Sequence, residues 1–159
     1  MTTMQLQQNA TVVPPGSGKT VNVLGIGVDI LLTGEDTDEA FSAYRVSVEP
    51  GDGVPPHIHR RDDETFYVLE GEFEVMCGGR VSTVTTGAIV LLPRDVPHTF
   101  RNVGTQTGHL LGVCTPAGHD RFFEDAGRLS FPPDPADAME VCLRHDIELL
   151  PLIRGLETE

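Results

Sequence analysis

From position 21 to 115 the chain offers no stretch in which a helix could settle. Val- and Ile-rich runs at 21–23 and 27–32 are followed by a third run at 41–48, which stops at the turn Glu49-Pro50-Gly51. Further short runs rich in β-branched and aromatic residues follow at 65–68, 72–77, 80–85, 88–92, 98–102 and 109–114. Gly and Pro punctuate them, and Gly78-Gly79 between two such runs is a two-residue hairpin signal. Many short strands without intervening helices read as an all-β sandwich or barrel.

The chain has 159 residues, enough for one domain with its own core. A formal net charge of -13 repels nucleic acid and anionic membranes, so neither is an expected partner. No run approaches the roughly 20 apolar residues of a membrane span. The first residues have neither a basic start nor an apolar run, so no secretory signal is expected. Cys77, Cys114 and Cys142 show no paired spacing, which fits a reducing compartment and a cytoplasmic protein.

Three segments are expected along the chain: a flexible polar arm at 1–20, a β-barrel at 21–118 and a helical extension at 119–159 packed on the barrel. In the extension, 120–126 reads as a helix anchored by Phe122 and Phe123 and stopped by Gly127. Asp134 can cap a second helix with Pro135 at its first position. Met139, Leu143 and Ile147 recur at four-residue steps, with Cys142 and Leu150 widening the stripe, and predict its buried face. Near the N-terminus, 14–20 resembles a phosphate-binding loop. Val13 stands where the pattern needs Gly, and the residues after the loop are strand-like, so nucleotide chemistry is not expected.

Two stretches carry the chemistry. The first has Gly51, five residues, His57-x-His59, four residues, Glu64, six residues and Gly71. The second has Gly87, five residues, Pro93, then His98 and Asn102. Side chains alternate faces along a strand, so His57 and His59 point the same way. Three imidazoles and a carboxylate suit a divalent transition metal such as iron, manganese, nickel or zinc. Four protein ligands would leave about two positions open on a six-coordinate ion. By the same parity Phe66, Val68, Phe100 and Asn102 share the inner face as candidate pocket residues. His109, His119 and His145 are read as ordinary surface or core histidines.

These two stretches resemble the two motifs of the cupin superfamily. Gly51, His57, His59, Glu64 and Gly71 match the first, and Gly87, Pro93, His98 and Asn102 match the second. Asp95 departs from the usual Gly at a turn that tolerates Asp. The resemblance covers about residues 40 to 118. It implies a cupin-type jelly-roll β-barrel, with short C-terminal helices beside it, and the metal ligands His57, His59, Glu64 and His98. The whole chain resembles the small single-domain members similar to quercetin 2,3-dioxygenase, which implies a homodimer acting on a small molecule. Glu64 would then be a ligand and also the base that takes a substrate hydroxyl proton, in a metal-dependent dioxygenase. A non-oxidative isomerase, cyclase or lyase, or a binding module without turnover, uses the same residues.

Overall fold

The structure, a computed structural model, describes residues 9–151. The expected arm and extension therefore fall partly outside the described residues, at 1–8 and 152–159.

Eleven strands, two short α-helices and one 3-10 turn (Glu35–Thr37) follow one another along the described chain. The first three strands are β1 (Lys19–Val23), β2 (Ile26–Leu32) and β3 (Ser42–Val48). Next come β4 (His57–His59), β5 (Asp63–Glu70) and β6 (Glu72–Cys77). Then follow β7 (Arg80–Thr85), β8 (Ile89–Leu92), β9 (His98–Asn102) and β10 (Gly108–Thr115). Helices α1 (His119–Ala126) and α2 (Pro135–Arg144) precede a last strand, β11 (Ile147–Leu149). One sheet has the order β1-β2-β3-β10-β5-β8 and the other β11-β4-β9-β6-β7, with every pairing antiparallel. This is a jelly-roll sandwich whose inner faces alternate with outer ones. No helix among the described residues is long and apolar enough to cross a membrane.

The local rules that shape the sheets are visible in the turns. Gly78 and Gly79 both take positive φ (58° and 79°), which lets Cys77 pair with Arg80 across a two-residue turn. Asp95 sits at φ 65°, so the departure from Gly is absorbed by a residue that tolerates the left-handed region. Lys19 and Thr20 open β1, and Lys19 Nζ meets Glu124 at 3.1 Å, so no helix follows the phosphate-loop lookalike.

Alternate residues of β3, β5, β6, β9 and β10 fill the space between the sheets. Val46, Val48, Phe66, Val68, Phe73 and Phe100 are all buried there. Tyr44 fits only because Gly112 faces it on β10, where a Cβ would lie 2.3 Å from its ring.

The C-terminal stripe differs from the sequence expectation. Asp134 does cap α2, accepting from the Ala136 amide at 2.8 Å. The buried face, however, is Ala138, Val141 and Cys142, while Met139 and Leu143 are 51% and 58% exposed. A strict four-residue step drifts around a 3.6-residue helix, so 139 and 143 leave the face that docks. The helix ends at Arg144, Asp146 turns through φ 58°, and Ile147 enters β11 instead. There Ile147, Glu148 and Leu149 pair with His59, Ile58 and His57. The extension thus completes a sheet as well as packing helices beside it.

Candidate metal centre

β4 is only three residues long, and its neighbours fix the aim of its histidines. On one side β11 pairs along its whole length, and on the other His57 is opposite His98 of β9. The rings of His57 and His98 have centroids 4.4 Å apart, and His59 lies 5.1 Å from each of them. Glu64, on β5 of the facing sheet, brings Oε1 to 3.8 Å from His98 Nε2. The structure therefore groups His57, His59 and His98, with ligand atoms within 4.8 Å of one another, and sets Glu64 beside His98.

Each imidazole has its Nδ1 beside an acceptor. His57 Nδ1 lies 2.8 Å from the Pro55 carbonyl, His59 Nδ1 3.2 Å from Asp62 Oδ2, and His98 Nδ1 3.1 Å from the Val96 carbonyl. A carbonyl or carboxylate can only accept, so each Nδ1 carries a proton, and each Nε2 presents a lone pair whenever its ring is neutral. The Nε2 atoms of His57 and His59 are 3.2 Å apart. His98 Nε2 is buried without a hydrogen-bond partner. A buried orphan acceptor is costly and calls for an explanation. Three imidazoles whose ligand atoms lie within 4.8 Å of one another, with the Glu64 carboxylate 3.8 Å from His98, fit a divalent cation.

The electrostatics agree with a site that holds few protons. Burial, then the nearby His98 and His59, push His57 down to about 3. Burial also lowers His98. Burial works against a proton on His59, yet the Glu64 charge and the Asp62 hydrogen bond outweigh it and raise His59. Burial likewise disfavours the Glu64 carboxylate, but His59, His119, His98 and the Tyr44 hydroxyl lower its pKa on balance.

Sequence reasoning missed several residues here. Tyr44 donates to Glu64 Oε2 at 2.5 Å and lies 3.2 Å from Cys114 Sγ. His119, read as an ordinary histidine, is buried in the site. It stacks on His59 at 4.7 Å, and its Nε2 is 3.7 Å from Glu64 Oε2. Its face of α1 also carries Phe122 and Phe123, a spacing that could have flagged it. His109 and His145 do take ordinary roles, against Ser47 at 3.0 Å and Asp125 at 2.7 Å.

A cavity of about 100 Å³ opens beside His57, His59, Glu64 and His119. Of the four candidate pocket residues, Phe66 and Phe100 line it. Val68 does not, because it lies two residues further along β5 in the solid core. Asn102 does not either: its amide donates to the Val48 and Gln106 carbonyls and its oxygen accepts from the Gly104 amide, so it pins the loop after β9. The extension supplies much of the remaining wall through Phe122, Phe123, Cys142, Ile147 and Leu149.

A family model described as "Cupin domain" matches residues 44–114, the segment that contains all four clustered residues. The quercetin 2,3-dioxygenase of Bacillus subtilis (strain 168) is 28% identical over 127 residues, 74% of this chain and 37% of that protein. The chain spans less than half the length of the first curated relatives it matches. Among solved structures, KdgF from a Halomonas species superposes with TM-score 0.63 at 21% identity, covering 71% of this chain and 99% of that one. The polyketide cyclase RemF from Streptomyces resistomycificus gives TM-score 0.58 at 25% identity, covering 67% and 80%. With the jelly roll and the two motif stretches in agreement, residues 44–114 of this chain are a cupin domain.

Proposed function

We propose that this protein is a metal-dependent enzyme, a dioxygenase similar in chemistry to quercetin 2,3-dioxygenase, acting on a small enolisable or aromatic molecule. The observation that carries the reading is a cluster of three histidines with ligand atoms within 4.8 Å of one another, the orphan His98 Nε2 lying 3.8 Å from the buried Glu64 carboxylate, beside a largely apolar cavity. His57, His59, His98 and Glu64 would hold iron, manganese, nickel or zinc. When bound, such an ion supplies Lewis acidity and, for a redox-active metal, a place for dioxygen to react.

The chain's own residues do the rest. Phe66 and Phe100 offer flat apolar walls against a planar ligand. Tyr44 fixes one oxygen of Glu64, leaving Oε1 toward His98 and the cavity end. That carboxylate, ionised at neutral pH, accepts the hydroxyl proton of an enol or phenol as it enters. The cavity of about 100 Å³ favours a compact substrate, since an apolar cavity of about 150 Å³ accommodates benzene. A flavonol needs the wall built by the extension to move outward.

A second reading is non-oxidative cyclisation or isomerisation, favoured by the likeness to the cyclase RemF and by the small cavity. The test is elemental analysis of protein purified without added metal, followed by oxygen-electrode assays with flavonols and small β-diketones. Metal-dependent oxygen uptake supports the dioxygenase. Oxygen uptake that survives complete metal removal overturns it, and anaerobic turnover with zinc selects the second reading.

We also infer a homodimer in the cytoplasm. The outer residues Tyr67, Leu69, Ile89 and Leu91 on β5 and the edge strand β8 support self-association, and the three described cysteines, all free, suit a reducing compartment.

A further inference from the structure

The other nitrogen of His59 faces a second set of ligand atoms. His59 on β4, Asp62 in the turn before β5, Cys114 on β10 and His119 on α1 are all buried, and one ligand atom from each lies within 4.8 Å of every other. Asp62 Oδ2 is 3.2 Å from His59 Nδ1 and 4.0 Å from His119 Nδ1. Bonds of about 2.0–2.3 Å place tetrahedral ligands roughly 3.3–3.8 Å apart, so small movements bring this set onto one ion. The four come from four separate elements, so the fold has assembled them. Two carboxylates, Asp62 and Glu64, are also buried around the same histidine, where a cation offsets charge that imidazole alone meets weakly.

We propose that His59, Asp62, Cys114 and His119 form a second cation site that adjoins the first and shares His59. Its two nitrogens, one oxygen and one sulfur select a borderline-soft divalent ion such as zinc or cobalt(II), unlike the sulfur-free first set. Charge balances as the ion enters. The Cys114 thiol releases its proton to solvent, Asp62 supplies the second negative charge, and with the first position empty the His59 proton moves from Nδ1 to Nε2. With both positions filled, His59 bridges them as an imidazolate. The proposal stands independently of the enzymatic reading, because Cys114 belongs to neither motif stretch.

Metal-free protein titrated with cobalt(II) tests it. Only a thiolate ligand gives an intense near-ultraviolet sulfur-to-cobalt band. That band is expected in the wild type, and in the His57→Ala/His98→Ala variant where the first position is dismantled. In Cys114→Ser it disappears while the weaker visible bands of the first position remain, and zinc competes both signals away. Wild-type protein saturated with cobalt that shows visible bands and no sulfur band overturns the proposal, whether or not any variant folds. A sulfur band that persists in Cys114→Ser overturns it too, because Cys77 or Cys142 would then be its source.

Discussion

The Tyr44 hydroxyl meets Glu64 Oε2 at 2.5 Å inside the sandwich, and the ring reaches that point only across the bare backbone of Gly112. A hydrogen bond to a buried charge is worth about 1.5–3 kcal/mol. In Tyr44→Phe the carboxylate loses that donor and holds protons more tightly. We expect a roughly 10–100-fold fall in activity or metal affinity, the range for ligand-orienting partners. The acid limb of the pH–activity profile shifts to higher pH. An unchanged profile would show that Tyr44 only packs.

His98→Ala removes the orphan Nε2 and one converging lone pair. The variant is expected to fold, since the apolar core lies elsewhere between the sheets. The first position filled at 100 times its Kd adds about 2.7 kcal/mol to the wild type, and the variant, which keeps Cys114 and His119, lacks that share. Thermal melts with and without metal make the comparison. One ion fewer per chain than in the wild type is expected, and a metal content equal to the wild type's counts against His98 as a ligand.

The apoprotein is expected to lose stability as pH falls from about 6.5 toward 4. Burial holds His57 at about 3 and His119 at about 4, and lowers His98 as well. Unfolded histidines near 6.5 therefore take up protons that the folded site refuses, at up to about 1.4 kcal/mol per pH unit for each group. His59 has the opposite sign: its raised value favours folding below 6.5, an effect lost as pH rises through its folded value. One such group offsets only part of three. Asp62, held at about 2 against burial chiefly by the His59 hydrogen bond, keeps its contribution until pH falls below 3.8 toward 2. Urea melts across this window check the slope, and a flat profile rules out three neutral buried imidazoles.

Ile147 is buried in β11 whereas Met139 is 51% exposed on α2. Ile147→Ala is expected to cost about 2–5 kcal/mol and to loosen the cavity wall. Met139→Ala changes stability by no more than about 0.5 kcal/mol. Equal effects in chemical denaturation would restore the stripe read from the four-residue spacing.

Ile89 and Leu91 are 72% and 63% exposed on edge strand β8. Ile89→Lys/Leu91→Lys is expected to halve the mass measured by light scattering, with the melting temperature of the monomer nearly unchanged. A wild-type monomer at all concentrations excludes the dimer.

The four converging residues were legible because two short motifs hold all of them and strand parity sets their aim. Their supports were harder to see, since each comes from a distant segment. Tyr44 lies on β3 and Cys114 on β10, and no local spacing links either to Glu64. His119 was readable in principle, sharing a helix face with Phe122 and Phe123, but a lone histidine beside two aromatics reads as core. Parity alone also overreached on β5 and β9. It places Val68 and Asn102 on the inner face but says nothing of depth, and the cavity ends before it reaches them.

The docking of β11 against β4 has a temporal consequence. Among the described residues, 147–149 alone pair with β4 along its full length, and they are synthesised long after the histidines they brace. On the ribosome the sandwich can collapse while His57 and His59 still hang from a strand with one loose neighbour. The geometry of the site is therefore completed late in the order of the chain, when β11 docks.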